Sequence, residues 1–294
     1  MPTSFRPRRS VLYMPGARAR ALEKAKSLPA DALILDLEDA VTPDEKPAAR
    51  DLVVNAVTEG GYGAREVIVR VNGLDTPWGA DDLAAAAKAG PDAILIPKVE
   101  DPASLAAIAE QITSAGAPDR TALWAMMETP LGILNAAAIA SAHPRLSCFV
   151  MGTNDLVKEL RAEHVAGRAP VQAALSQCLL AARAHDLVCI DGVYNAFKDD
   201  DGLRAECEAG RAMGFDGKTL IHPAQLAVTN EVFGPSEAAL AEAREQLAAF
   251  EAVTMSGGGV AVVNGKIVEN LHVETAKRII AEAEAITRLE AEAS

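Results

Sequence analysis

Aromatic side chains make up only 4% of this 294-residue chain, so its core has to be aliphatic and large ring platforms for a ligand are not expected. Positive charge is also short: 28 Lys and Arg stand against 41 Asp and Glu, a formal net charge of −13. That balance lacks the basic face needed to track nucleic-acid phosphates or an anionic membrane, so neither is expected as a partner. A few local Arg and Lys residues still suffice for a small anionic ligand. No apolar run is long enough to cross a bilayer, and only the short run Val11-Leu12-Tyr13-Met14 follows the basic Arg6–Arg9 stretch, so no secretory signal is expected. The four cysteines, Cys148, Cys178, Cys189 and Cys207, lack Cys-x-x-Cys spacing and read as buried reduced thiols of a cytoplasmic protein. There is no His-x-x-x-His or mixed Cys/His cluster, which argues against zinc, and no Gly-x-Ser-x-Gly for a serine nucleophile.

What is present is a repeated alternation. Continuous apolar, β-rich runs at residues 10–14, 31–37, 66–71, 92–97, 122–127, 147–151, 187–191 and 216–221 read as parallel strands buried on both faces. Helix patterns follow them at 17–27, 44–58, 78–89, 101–115, 129–141, 170–185, 199–213 and 223–233. Eight such units imply an α/β chain folded as a (β/α)8 TIM barrel, and no Gly-x-Gly-x-x-Gly follows the first strand to favour an open dinucleotide-binding sheet. A further helix spans 235–253. Ser256-Gly257-Gly258-Gly259 then reads as a linker, Asn264-Gly265 as a hairpin turn, and a last helix covers about 273–290. The expected division is a catalytic barrel at 1–254 and a hairpin–helix appendage at 255–294, too small for its own core and docked elsewhere, on a neighbouring subunit's active site.

Barrel enzymes place their chemistry where strands end. Those ends carry Asp36, Glu38 and Asp39, then Arg70, Lys98, Glu128, Asn154 with Asp155, Asp191, and Ile221-His222. Glu128 and Asp155 follow apolar strands on neighbouring staves and suit a hard cation such as Mg²⁺, with Mn²⁺ fitting the same oxygen ligands. Arg70 suits two-point binding of a carboxylate or polarised carbonyl, and an ion pair with Asp36, Glu38 or Asp39 is compatible with that. Lys98 is expected to be salt-bridged in so acidic a mouth rather than to act as a Schiff-base amine. The turn Pro15-Gly16 with Arg18 and Lys24 behind it offers a second, weaker anion site.

The segments SVLYMPGARARALEKA, LILDLEDAV, VRVNGLDT, ILIPKVE, METPLGILNA, MGTNDLVKEL, IDGVYNAFKDDDGL and GFDGKTLIHPAQ resemble the citrate lyase β-subunit-like group of the HpcH/HpaI aldolase superfamily nearly end to end. AMMET, GLRAECE and GVAVVNGKIVENLH resemble its branch that hydrolyses (3S)-malyl-CoA. The resemblance implies Glu128 and Asp155 as Mg²⁺ ligands and Arg70 on the acyl oxygens. It implies Tyr13, Arg18 and Lys24 at the CoA portion and Ile221-His222 at the substrate, within a homotrimer or hexamer whose C-terminal segments reach over neighbouring barrel mouths. Lyase-type relatives carry an acid/base Asp where this chain has Glu269, one methylene longer. The expected activity is thioester hydrolysis of (3S)-malyl-CoA, with Glu269 or a water on the metal as base. Two alternatives remain: cleavage to a 2-oxo acid and an acyl-CoA, as in malyl-CoA, β-methylmalyl-CoA or citramalyl-CoA lyases, and a non-catalytic CoA-binding subunit.

Overall fold

A computed structural model describes residues 6–255 and 258–293. Eight parallel strands close a barrel in sequence order: β1 (Ser10–Pro15), β2 (Ala32–Asp36), β3 (Glu66–Arg70), β4 (Ala93–Ile96), β5 (Ala122–Met127), β6 (Leu146–Met151), β7 (Val188–Asp191) and β8 (Gly217–Leu220), with β8 pairing back onto β1. They are the eight apolar runs of the sequence, each end matching to within one residue.

Alternation along each strand sorts the side chains into two layers. Val11, Ile34, Ile68, Leu95, Trp124, Met126, Cys148, Val150 and Ile190 fill the barrel interior. Their neighbours, such as Leu12, Leu33, Val69, Ile94, Phe149 and Cys189, face outward and pack under the helices. Arg8 closes the interior at the end where the strands begin. It donates to Glu66 at 2.8 Å, and its guanidinium lies 5.4 Å from the Trp124 ring centroid. The barrel is therefore open only at the end where strands finish.

The surrounding helices are α1 (Ala19–Ala25), α2 (Lys46–Glu59), α3 (Gly79–Ala89), α4 (Pro102–Ser114), α5 (Pro130–Leu134), α6 (Ala136–Ala140), α7 (Thr153–Glu159), α8 (Gln172–Ala184), α9 (Asp200–Met213), α10 (Leu226–Phe233), α11 (Glu237–Met255) and α12 (Asn270–Ala293). Two differ from the sequence reading. The single helix expected at 129–141 breaks at Asn135, which leaves helical geometry and donates its side-chain amide to the Glu100 carbonyl at 2.8 Å. Helix α7 was expected only as a polar strand end, and its first turn carries Asp155.

Strands β9 (Ala261–Val263) and β10 (Lys266–Val268) form the expected hairpin. Its turn residues Asn264 and Gly265 have φ of 50° and 74°, the left-handed pair that a type I′ turn requires. Ser256 and Gly257 of the expected linker lie outside the described residues. The hairpin packs Ala261, Val263 and Val268 against Leu247, Phe250 and Val253 of α11. Helix α12 returns along α11 to the closed end of the barrel, where Glu290 meets Arg9 at 3.1 Å. Among the described residues no helix is long and apolar enough to cross a membrane.

Candidate active site

The open end of the barrel holds a cleft of about 430 Å³ lined by Tyr13, Asp36, Asp39, Arg70, Met126, Glu128, Thr153, Asn154, Asp155, Thr219 and Ile221, among others. Strand alternation explains most of this. Asp36 follows inward-facing Ile34, Arg70 follows Ile68, Met126 and Glu128 follow Trp124, and each continues the interior file of its strand into the mouth.

Arg70 is buried and heavily engaged. Its Nε and Nη2 donate to the two carboxylate oxygens of Asp36 at 2.7 Å each, a bidentate pair. Its Nη1 faces Glu38 at 2.8 Å and Asp39 at 3.3 Å, and the Tyr13 ring centroid lies 4.8 Å from the guanidinium. Burial works against this charge, but Asp36 and the surrounding groups outweigh it and raise the Arg70 pKa. Asp36 also accepts from the backbone N–H groups of Glu38 (2.9 Å) and Ala40 (3.0 Å), fixing the loop that presents Glu38 and Asp39. Glu38 feels opposing influences. Burial raises its carboxyl and Arg70 lowers it; burial wins and places it at about 8. Gly16 brings β1 close to this pair: its N–H donates to the Asp36 carbonyl at 2.9 Å, and a Cβ there would lie 2.5 Å from that oxygen.

Glu128 is 2% exposed at the end of β5. Its Oε1 accepts from the backbone N–H of Lys98 at 2.8 Å. Lys98 points that N–H into the mouth by adopting φ 48°, a left-handed conformation that non-glycine residues rarely take. Burial pushes the Glu128 carboxyl up to about 7; the Lys98 N–H lowers it and Asp155 raises it. The space before Glu128 is kept clear by Gly152, where a Cβ would stand 2.4 Å from Glu128 Oε2. Asp155 approaches from α7 and has Lys158 at 3.8 Å.

Among the described residues no group of three His, Cys, Asp or Glu is placed to hold a metal, so a cation here has no all-protein cage. The two carboxylates Glu128 and Asp155 with an open cleft between strand ends fit the chemistry of Mg²⁺, which keeps waters and substrate oxygens in its shell. A cation would also relieve the strain of a buried carboxylate facing another.

The other expected site residues fall into three groups. Tyr13, Asn154 and Ile221 line the cleft. Burial raises the Tyr13 hydroxyl pKa, and that hydroxyl lies 3.6 Å from Met126 Sδ. Asn154 and Asn195 exchange side-chain amide hydrogen bonds at 3.1 and 2.9 Å. His222 sits beside the rim, stacked on Phe197 with ring centroids 4.5 Å apart and accepting from the Ala224 N–H at 3.1 Å. Arg18 is outside the cleft lining, paired with Glu45 at 2.9 Å, and Lys24 is exposed in the last turn of α1. Glu269 lies on the appendage, exposed, with its N–H donating to His272 Nδ1 at 3.1 Å, and takes no part in its own barrel's cleft.

Two sequence expectations fail at the mouth. Asp191 ends β7 but does not face the opening, because Ile190 takes the inward position. It is buried outside the barrel with Lys218 at 3.1 Å and Arg168, an ion cluster completed by Glu206 at 2.6 Å from Lys218. Lys98, expected in a salt bridge, has no ion pair among the described residues. The sequence reading missed Met126, Thr153 and Thr219 as cleft-lining residues. Counting by twos from Trp124 would have found Met126.

Residues 9–223 match the family described as HpcH/HpaI aldolase/citrate lyase. The chain belongs to that family. It is 61% identical over 280 residues, 95% of this chain and 96% of the other, to the (3S)-malyl-CoA thioesterase of Cereibacter sphaeroides. An L-malyl-CoA/β-methylmalyl-CoA lyase of the same species is 34% identical over 310 residues, 97% of this chain and 98% of that one. Among solved structures, protein CitE from Mycobacterium tuberculosis in complex with magnesium, acetoacetate and coenzyme A is similar with a TM-score of 0.76 and 30% identity, covering 94% of this chain and 97% of that one.

Proposed function

We propose that the chain is a divalent-metal-dependent thioesterase that hydrolyses (3S)-malyl-CoA to malate and CoA. The observation that carries this is the convergence of Glu128, Asp155 and Arg70 at one barrel mouth in a chain 61% identical to a (3S)-malyl-CoA thioesterase. Glu128 and Asp155 would hold Mg²⁺ or Mn²⁺, and the bound cation supplies Lewis-acid polarisation of the acyl oxygens. Arg70, fixed bidentately by Asp36, would exchange the Glu38 and Asp39 contacts of its Nη1 for the acyl oxygens and stabilise negative charge as it develops on the thioester oxygen. Water adds to the thioester carbonyl, the C–S bond breaks, and the thiolate leaves as CoA after taking up a proton. Tyr13 in the cleft lining, with Arg18 and Lys24 outside it, would contact the CoA portion.

The base for that water is assigned to Glu269 of a second subunit, since Glu269 does not reach its own cleft. The appendage would act as a cover for a neighbouring mouth in a trimer or hexamer. Val262 and Ile267, paired across the hairpin, are 67% and 61% exposed, an apolar face that such docking would bury. With four buried, free cysteines, the chain suits the reducing cytoplasm.

The test is to incubate purified protein with (3S)-malyl-CoA and Mg²⁺ and follow thiol and glyoxylate together. Thiol without glyoxylate is expected. Glyoxylate with acetyl-CoA and little thiol would replace this reading with a lyase.

A further inference from the structure

The mouth is crowded with negative charge. Asp36, Glu38 and Asp39 surround Arg70, and Glu128 and Asp155 face each other across the cleft. Its cations are largely committed: Arg70 is divided among three carboxylates, and Lys158 stands 3.8 Å from Asp155. Lys98 is the exception. It is exposed at the rim, in the electrostatic field of Glu38, Asp155, Glu128 and Asp39, and it has no ion pair among the described residues. Its backbone is held at φ 48°, which a lysine adopts at a cost that glycine would avoid. That conformation has one visible product, the 2.8 Å hydrogen bond from its N–H to Glu128. The bond explains the backbone; it does not explain the side chain, because a glycine would supply the same N–H.

We propose that Lys98 binds the free carboxylate of the acyl group, while its left-handed backbone orients Glu128. This rests on the thioesterase reading, whose substrate carries a carboxylate at the far end of a short acyl chain. An anionic acyl group entering this mouth meets five acidic side chains, and an ammonium at the rim without an ion pair among the described residues offsets their repulsion as the chain seats. A long flexible lysine suits this role, since it can follow the carboxylate in as the cleft fills.

The experiment compares (3S)-malyl-CoA with 3-hydroxybutyryl-CoA, in which a methyl group replaces the acyl carboxylate. Lys98→Met and Lys98→Gly are assayed in the full-length enzyme with Mg²⁺, the glycine variant keeping the left-handed backbone and its N–H. Both variants are expected to lower kcat/KM for malyl-CoA about ten- to a hundredfold, chiefly through KM, and to leave the methyl analogue nearly unchanged. Lys98→Arg is expected to restore most of the preference. Where turnover of the analogue is too slow, its inhibition constant against malyl-CoA replaces kcat/KM. Equal losses on both substrates would overturn the proposal and leave Lys98 acting only through Glu128. A loss that disappears with the malyl thioester of N-acetylcysteamine, which lacks the CoA nucleotide, would overturn it in favour of contact with CoA phosphates. Wild-type protein releasing no thiol from malyl-CoA would instead defeat the thioesterase reading, and the inhibition constants would still report on Lys98.

Discussion

A methyl group on residue 152 would stand 2.4 Å from Glu128 Oε2, so the position of one carboxylate depends on the absence of a side chain at the end of the neighbouring strand. Gly152→Ala is therefore expected to push Glu128 aside while the buried aliphatic core holds the fold. A displacement on the scale of 1 Å costs about a hundredfold in rate where a group must hold a reacting centre. Malyl-CoA hydrolysis titrated with Mg²⁺ checks this: kcat/KM should fall by that order and the half-saturating Mg²⁺ concentration should rise. An unchanged Mg²⁺ dependence would remove Glu128 from the metal site. At this scale the sequence was legible wherever an ionisable residue followed an apolar strand with inward parity, as Arg70 and Glu128 do. It misled at Asp191, where Ile190 holds the inward position and alternation turns the last residue of the strand outward to Lys218 and Arg168. It was silent on the backbone of Lys98, because nothing in the identity of a lysine announces a left-handed conformation.

Among the secondary-structure elements, the eight strands were readable because burial on both faces leaves a run of apolar residues with no alternation to confuse it. Helices were less secure at their ends. The break at Asn135 depends on a carbonyl of Glu100 distant in sequence, and α7 has only seven residues, too few to show a helical period. The hairpin was legible from Asn264-Gly265 alone. Which mouth it serves follows only from the family resemblance, because that depends on assembly. The assignment of Glu269 to a neighbour's cleft makes a sharp prediction. Glu128→Gln and Glu269→Gln should each inactivate a homo-oligomer, yet the two variants refolded together should regain activity. With random mixing, about a quarter of the clefts combine an intact Glu128 with an intact Glu269 from next door. Mixed oligomers as inactive as the parents would confine each site to one subunit.

For the whole molecule, the mouth couples folding, protons and metal. The carboxyls of Glu128 and Glu38 are pushed up from their ordinary 4.5 to about 7 and about 8, in both cases chiefly by burial. A carboxyl raised on folding keeps its proton in the native chain at a pH where the unfolded chain has released it. Its contribution is complete below about 4.5 and is lost as pH rises through the folded value. Glu45, Asp101, Asp199 and Glu231 are shifted the opposite way, each chiefly by a side-chain hydrogen bond, so what they contribute is lost only as pH falls below the ordinary carboxylate range. Between about pH 5.5 and 8, then, metal-free protein is expected to lose thermal stability at the mouth. Mg²⁺ reverses this, because a cation on Glu128 and Asp155 needs Glu128 ionised and stabilises the state that high pH produces. The rise in Tm on adding Mg²⁺ should be larger at about pH 8 than at about pH 5.5, and Glu128→Gln should abolish the Mg²⁺ response while leaving the part of the metal-free decline that belongs to Glu38. Melting curves of the two proteins at both pH values, with and without Mg²⁺, decide it. A Mg²⁺ shift of equal size at both pH values would mean that the cation binds somewhere other than the buried carboxyl of Glu128.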